Sequence, residues 1–138
     1  MVLLLAMSWF YVGCSKPPPP PDGQLHIENV SKWYQLYRAE HKGKPPSNEE
    51  KFIAFINQNL ADRGESVEAD FLTSPRDGEK YEISYGKATN ENPEKNVAVY
   101  EKTGYDEKKL MAIEGGYSYE LTQAELEAEI NGTADQAP

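Results

Sequence analysis

The chain predicts an α+β fold, with N-terminal helices packed on a small antiparallel sheet of three to four strands and a short C-terminal helix. Three observations carry this. Apolar residues recur at helical spacing between His26 and Leu60, they alternate between Tyr81 and Leu121, and a capping pattern at Thr122 opens one more amphipathic segment. Helices that precede a run of strands segregate into their own layer.

The elements follow in order. In HIENVSKWYQLYRAEH, residues 26–41, Ile27, Val30, Tyr34, Tyr37 and His41 fall on one stripe with Trp33 beside it, while Lys32, Gln35, Arg38 and Lys42 fall away. Gly43, Pro45 and Pro46 stop that helix. Ser47 with Glu50 reads as a capping box opening EEKFIAFINQNL, whose Phe52, Ile53, Ile56 and Leu60 share a face. Ser74-Pro75-Arg76-Asp77-Gly78 is a turn signal. Beyond it, Tyr81, Ile83 and Tyr85 alternate with Glu82 and Ser84 as in a half-buried strand. Residues 86–96 form a polar loop, residues 97–101 and 109–113 two strands joined by a hairpin at Thr103-Gly104-Tyr105-Asp106, and residues 117–121 a last strand after Gly115-Gly116. Thr122 and Glu125 form a second capping box, with Leu126 and Ile130 inward.

Composition narrows the function. The chain is acidic, with net charge -9 over 138 residues, and its basic residues are mixed with acids, so it offers no basic face for nucleic acid. With 38% hydrophobic and 11% aromatic residues it holds enough for a modest core. A single cysteine excludes an internal disulfide and a cysteine-rich zinc site.

That cysteine has a marked setting. VLLLAMSWFYVGC, residues 2–14, is an uncharged apolar run, shorter than the roughly 20 residues of a bilayer span. It suits the apolar region of a secretory signal, and small Gly13 stands directly before Cys14. Pro17 to Pro21 follow as an extended spacer of about 3 Å per residue. This region resembles a bacterial lipoprotein signal. The resemblance implies cleavage between Gly13 and Cys14, thioether lipidation of Cys14, and further acylation of the new amino terminus. It places the protein in the bacterial cell envelope, anchored by lipid and facing the periplasm. Ser15 and Lys16 after the cysteine, with no aspartate, lean towards the outer membrane. The alternative readings are an uncleaved membrane anchor and a buried N-terminal strand of a cytosolic protein. The expected organisation is a signal peptide over 1–13, lipidated cysteine and proline-rich linker over 14–24, one α+β domain over 25–130, and a disordered tail over 131–138.

The folded part also resembles a family. A long N-terminal helix, Gly43-Lys44-Pro45-Pro46-Ser47 before an acidic helix start, and Ser74-Pro75-Arg76-Asp77-Gly78-Glu79-Lys80-Tyr81 resemble the soluble domain of type II secretion pseudopilins. The likeness spans residues 30–126 and implies a pseudopilin-like fold. Gly115-Gly116 stands where that family has Asp-Gly, Arg76-Asp77 replaces its tryptophan, and its long apolar shaft helix is missing.

No residues stand out as catalytic. Glu49, Glu50, Glu68 and Asp70 supply carboxylates without a defined pairing, and an acidic protein carries such residues as solvated surface. There is no Gly-x-Ser-x-Gly elbow and no phosphate-cradling loop, and Ser74 and Ser118 have no evident histidine partner. His26 and His41 lie far apart; His41 suits a helix C-terminus, and neither marks a metal site. Asp106-Glu107 and the Asn90 to Asn96 loop lack the alternating ligand spacing of a calcium loop. Tyr81, Tyr85, Tyr100, Tyr105, Tyr117 and Tyr119 are expected to pack into the core with wet hydroxyls, against the alternative of an exposed aromatic face for sugars or a peptide. The expected function is therefore a non-enzymatic structural or protein-interaction role, without cofactor and with an envelope protein as partner. The alternatives are a glycan- or calcium-binding envelope module and a membrane-anchored pseudopilin-like subunit of a secretion assembly.

Overall fold

A computed structural model of the protein describes residues 23–132. The signal segment, Gly13, Cys14, the proline spacer and residues 133–138 lie outside them. The described chain is α+β, as the pattern predicts. Helix α1 (Gly23–Glu40) and helix α2 (Glu49–Ala61) precede strands β1 (Glu82–Ile83), β2 (Val97–Tyr100), β3 (Lys108–Ile113) and β4 (Ser118–Thr122), and helix α3 (Gln123–Ile130) ends the fold. The strands pair antiparallel in chain order, β1-β2-β3-β4, which leaves β1 and β4 as edges. Among the described residues no helix is long and apolar enough to cross a membrane.

Helix α1 begins at Gly23, ahead of the expected domain boundary at residue 25. The aromatic stripe is where its spacing puts it: Ile27, Val30, Tyr34 and Tyr37 are buried, while His41 is exposed just past the helix. Arg38, expected to fall away, is buried as well. It stands four residues after Tyr34 and so shares the inward face, where its charge meets Glu114. In α2, Phe52, Phe55 and Ile56 are buried, with Ile53 and Leu60 half-buried behind them. The N-cap of α2 is Asn48 rather than the expected Ser47, and its side-chain oxygen accepts the Lys51 N–H at 2.9 Å. Pro46 is buried, and its carbonyl accepts the Gly86 N–H, so the chain is pinned just before the helix and the cap falls on Asn48, an equally good capping residue.

The sheet has a covered face and a half-covered face. Leu110 and Ala112 of β3 turn to α1 and α2, joining Tyr34, Phe52 and Ile56 in the main core. Met111 turns the other way, to Leu126 of α3 and Val97. In a regular strand Val97 and Val99 would share a face. A β-bulge between them breaks the alternation, so Val97 joins the α3 cluster and Val99 the main core. The strand expected over 81–85 shrinks to Glu82–Ile83. Its flanks are used elsewhere: the Tyr81 N–H donates to Leu72 O and the Tyr85 N–H curls back to Ile83 O. The second capping box holds as read, with Thr122 and Glu125 each accepting the other's backbone N–H.

Candidate interaction surface

Most of the residues singled out for chemistry are either spent on holding the fold or exposed on its surface. Glu49 pairs with Lys80 at 2.7 Å, Glu50 is exposed on the next position, and Glu68 and Asp70 sit in the exposed turns before Leu72. Ser74 donates its hydroxyl to Glu101 at 2.7 Å, and Ser118 to Glu28 at 2.7 Å, so neither faces a histidine. His26 bonds Phe71 O through Nε2 at 2.8 Å, against the rings of Phe71 and Tyr81. His41 bonds Tyr37 O through Nδ1 at 2.7 Å and stacks on the Tyr37 ring at 3.9 Å. In the Asn90 to Asn96 loop the oxygens turn inward: Asn90 accepts from Asn92 N–H, Asn92 from Glu94 N–H, and Asn96 from the Thr89 N–H and hydroxyl. Asp106 and Glu107 are the left-handed residues of the β2–β3 hairpin, at φ 51° and 63°. Among the described residues no group of three or more His, Cys, Asp or Glu is placed to hold a metal ion.

Two buried ion clusters go beyond what the sequence pattern predicts. Arg38 donates to Glu114, which also accepts the Asn96 side-chain N–H at 2.9 Å, while Arg38 Nε donates to Gly43 O at 2.8 Å. Glu101, fully buried, accepts from Ser74 and from the Leu110 N–H at 2.8 Å, with Arg76 at 3.6 Å. These are staples between loops and sheet. The signal for Arg38 is its place on the buried stripe; for the carboxylates no local signal exists, because each directly follows the last residue of a strand, where a charged side chain is ordinarily solvated.

The tyrosines divide. Tyr81 is buried and Tyr85, Tyr100 and Tyr105 are half-buried, in keeping with core packing, but Tyr117 and Tyr119 are 69% and 49% exposed. Burial pushes the Tyr34 phenol up to about 12 and raises Tyr81, Tyr85 and Tyr100 as well.

Tyr117 and Tyr119 flank an edge that is unpaired among the described residues. The Ile113 N–H donates to Tyr117 O, and Met111 and Lys109 stand opposite Tyr119 and Leu121. Hydrogen-bonded pairs alternate along an antiparallel ladder, so the N–H and C=O of Ser118 and Glu120 point away from β3 to the open side. The bonding of Leu110 agrees, since it exchanges bonds with Glu101 rather than with Glu120 opposite it. The Ser118 and Glu120 side chains turn to the α1 face, reaching Glu28 and Arg76. Tyr117, Tyr119 and Leu121 take the other face. There α3 covers Val97 and Met111 but stops short of the sheet's end. A groove of about 400 Å³ lies between Glu129 on α3 and Glu94 on the 3-10 turn Pro93–Lys95, floored by Met111, Ile113, Tyr119 and Leu121. It continues past Tyr119 into a second hollow of about 430 Å³ beside Tyr117 and Pro93. A larger hollow of about 620 Å³ between α1 and α2 holds His41, Glu40 and Asp62, and among the described residues no serine, threonine or cysteine lines it.

Comparison with protein-family models, with curated proteins and with solved structures finds no match.

Proposed function

We propose that the protein is a lipid-anchored component of the bacterial cell envelope that acts by holding protein partners, not by catalysis. One observation carries the interaction role: an open strand edge at β4 among the described residues, bordered by two exposed tyrosines above a groove with an apolar floor and charged walls. Unpaired N–H and C=O groups on an edge recruit an extended segment, and exposed aromatic rings beside them supply most of the contact energy. The anchor rests on the apolar run that ends at Gly13-Cys14 and on the proline spacer after it. Two or more acyl chains at Cys14 give stable attachment where one gives only marginal binding.

The test joins mass to cross-linking. The membrane-extracted protein is expected to begin at Cys14 with added acyl mass, and a Cys14→Ser variant to keep its leader. A photo-reactive residue at position 119 in living cells is expected to capture protein, and the same group at Gln58, exposed on α2, to capture none. A full-length unmodified chain would remove the anchor, and equal labelling at both positions would remove the interaction surface.

A second reading rests on the same two rings. Tyr117 and Tyr119 are two apart in extended chain, about 7 Å by strand geometry, and both rings are exposed, as aromatic faces that stack on sugars must be. Quenching of tyrosine fluorescence by envelope oligosaccharides, lost in Tyr119→Ala, would favour it; unchanged emission would exclude it.

A further inference from the structure

We infer that the partner at β4 is a second copy of this chain, paired edge to edge about a two-fold axis at Tyr119; this rests on the interaction role proposed above. Edge strands in folded proteins are blunted by shortness, proline, bulges or a charge on the edge. The other edge, β1, is blunted by being two residues long. Strand β4 is five residues long, carries no proline, and pairs with β3 without a bulge. Its one charge, Glu120, is already answered within the chain by Arg76 at 3.1 Å and Lys108 at 4.0 Å. The device that would keep a second strand away is neutralised.

The sequence of β4 fits its own antiparallel copy in one alignment. Among the described residues of this edge only Ser118 and Glu120 present free backbone groups, because the Thr122 N–H is taken by Glu125. A two-fold at Glu120 would set Glu120 directly against its copy, and like charges opposite each other are destabilising. A two-fold at Ser118 would run the pairing into Gly116, which sits in the turn at φ 94°. A two-fold at Tyr119 sets Ser118 against Glu120 of the second copy and Glu120 against Ser118, each pair exchanging two backbone hydrogen bonds. On the groove side it sets Tyr119 against Tyr119 and Tyr117 against Leu121, aromatic and aliphatic pairs that stabilise a sheet. The result is one eight-stranded sheet from two four-stranded ones.

Charge gives the association a signature. Each copy carries -9, so the copies repel at long range while the seam is neutral. Added salt shortens the screening length, about 10 Å at 0.1 M, and is expected to tighten the dimer rather than loosen it.

The experiment takes the full chain in mild detergent, with sedimentation equilibrium beside disulfide trapping. Tyr119→Cys is expected to give at least about tenfold more disulfide-linked dimer than Gln58→Cys, since among pairs of the same residue only those at the two-fold have Cα atoms within disulfide range. Ser118→Cys alone is expected to link poorly, and mixed with Glu120→Cys to link well. Glu120→Pro, which removes an N–H that β3 does not use, is expected to shift the mass to monomer with the circular dichroism unchanged. A monomer at every salt concentration, with no excess linkage at position 119, overturns the dimer. If position 119 still captures a different protein in cells, the interaction role stands without self-pairing; if it captures nothing, both fall.

Discussion

The carboxylate of Glu101 completes the sheet where its own carbonyl does not. The Glu101 N–H donates to Leu110 O, and the return bond from the Leu110 N–H goes to Glu101 Oε2 at 2.8 Å instead of to the main chain. The second carboxylate oxygen takes the Ser74 hydroxyl, so one buried side chain ties β2, β3 and the turn before β1 together. Glu101→Ala would leave the Leu110 N–H and the Ser74 hydroxyl without their acceptor and take one of two carboxylates from Arg76, which keeps Glu120. We expect a loss of about 3–5 kcal/mol in urea unfolding, with Glu101→Gln milder because one oxygen remains.

Arg38 and Glu114 form the matching staple on the other side of the core. Arg38→Met or Glu114→Leu alone strands a buried charge and is expected to cost about 3–5 kcal/mol. Arg38→Met with Glu114→Leu removes both charges, and the double variant is expected to be more stable than either single one. A double-mutant cycle by denaturant melts checks this, and strict additivity would refute the coupling.

Alkali is expected to unfold the domain from within. Burial raises the phenols of Tyr34, Tyr81 and Tyr85, so the folded chain holds protons that the unfolded chain releases. The sign follows: stability is full below about pH 10, the ordinary phenol pKa, and falls as the pH climbs through the raised values, about 12 for Tyr34. Absorbance at 295 nm and circular dichroism should therefore change together. Tyr34→Phe, which also loses the bond to Ser84 O, should flatten the alkaline loss while lowering stability at neutral pH.

At the other end of the pH scale the α3 cap is the sensitive part. The Thr122 N–H and hydroxyl hold the Glu125 carboxyl below its usual range. Its share of stability is present above the ordinary carboxyl pKa and is lost as the pH falls through the lowered one. Thr122→Ala is expected to cost about 1 kcal/mol, and Leu126→Ala, which opens the Val97–Met111 cluster, about 2–4 kcal/mol in thermal or denaturant melts.

Gly104 is fixed by space as well as by backbone angle. At φ 78° a Cβ there would run into the Lys108 carbonyl oxygen, whereas Gly64, at φ 67°, faces open space. Gly104→Ala should therefore destabilise the β2–β3 hairpin far beyond the roughly 1 kcal/mol expected of Gly64→Ala, as hydrogen exchange at Tyr105 and Lys108 would report.

Much of the fold is legible in the sequence because its causes are local. The aromatic spacing of α1, the alternation of β3, and the Thr122–Glu125 cap each lie within one element or at its border. What stays hidden depends on partners far along the chain. The Arg38 side chain is buried because Glu114 waits 76 residues away, and Glu101 because Ser74 turns back over 27. The bulge at Val97 is likewise set by the need to fill two clusters at once. For the candidate site, alternation places Tyr117 and Tyr119 on one face, but whether that face is covered depends on where α3 ends, which β4 does not encode.

Because neighbouring strands in the sheet are also neighbours in the chain, every strand pairing closes a short loop. The N-terminal helix reaches farthest along the chain, to Ile113 through Ser31 and to Ser118 through Glu28, 82 and 90 residues on. Most of the loop-closure entropy in this topology therefore falls on one event, the docking of α1 onto a finished meander. The sheet and α3 can assemble early and fast, and the rate at which the whole domain becomes resistant to proteolysis is set by how quickly its first helix finds its last strands.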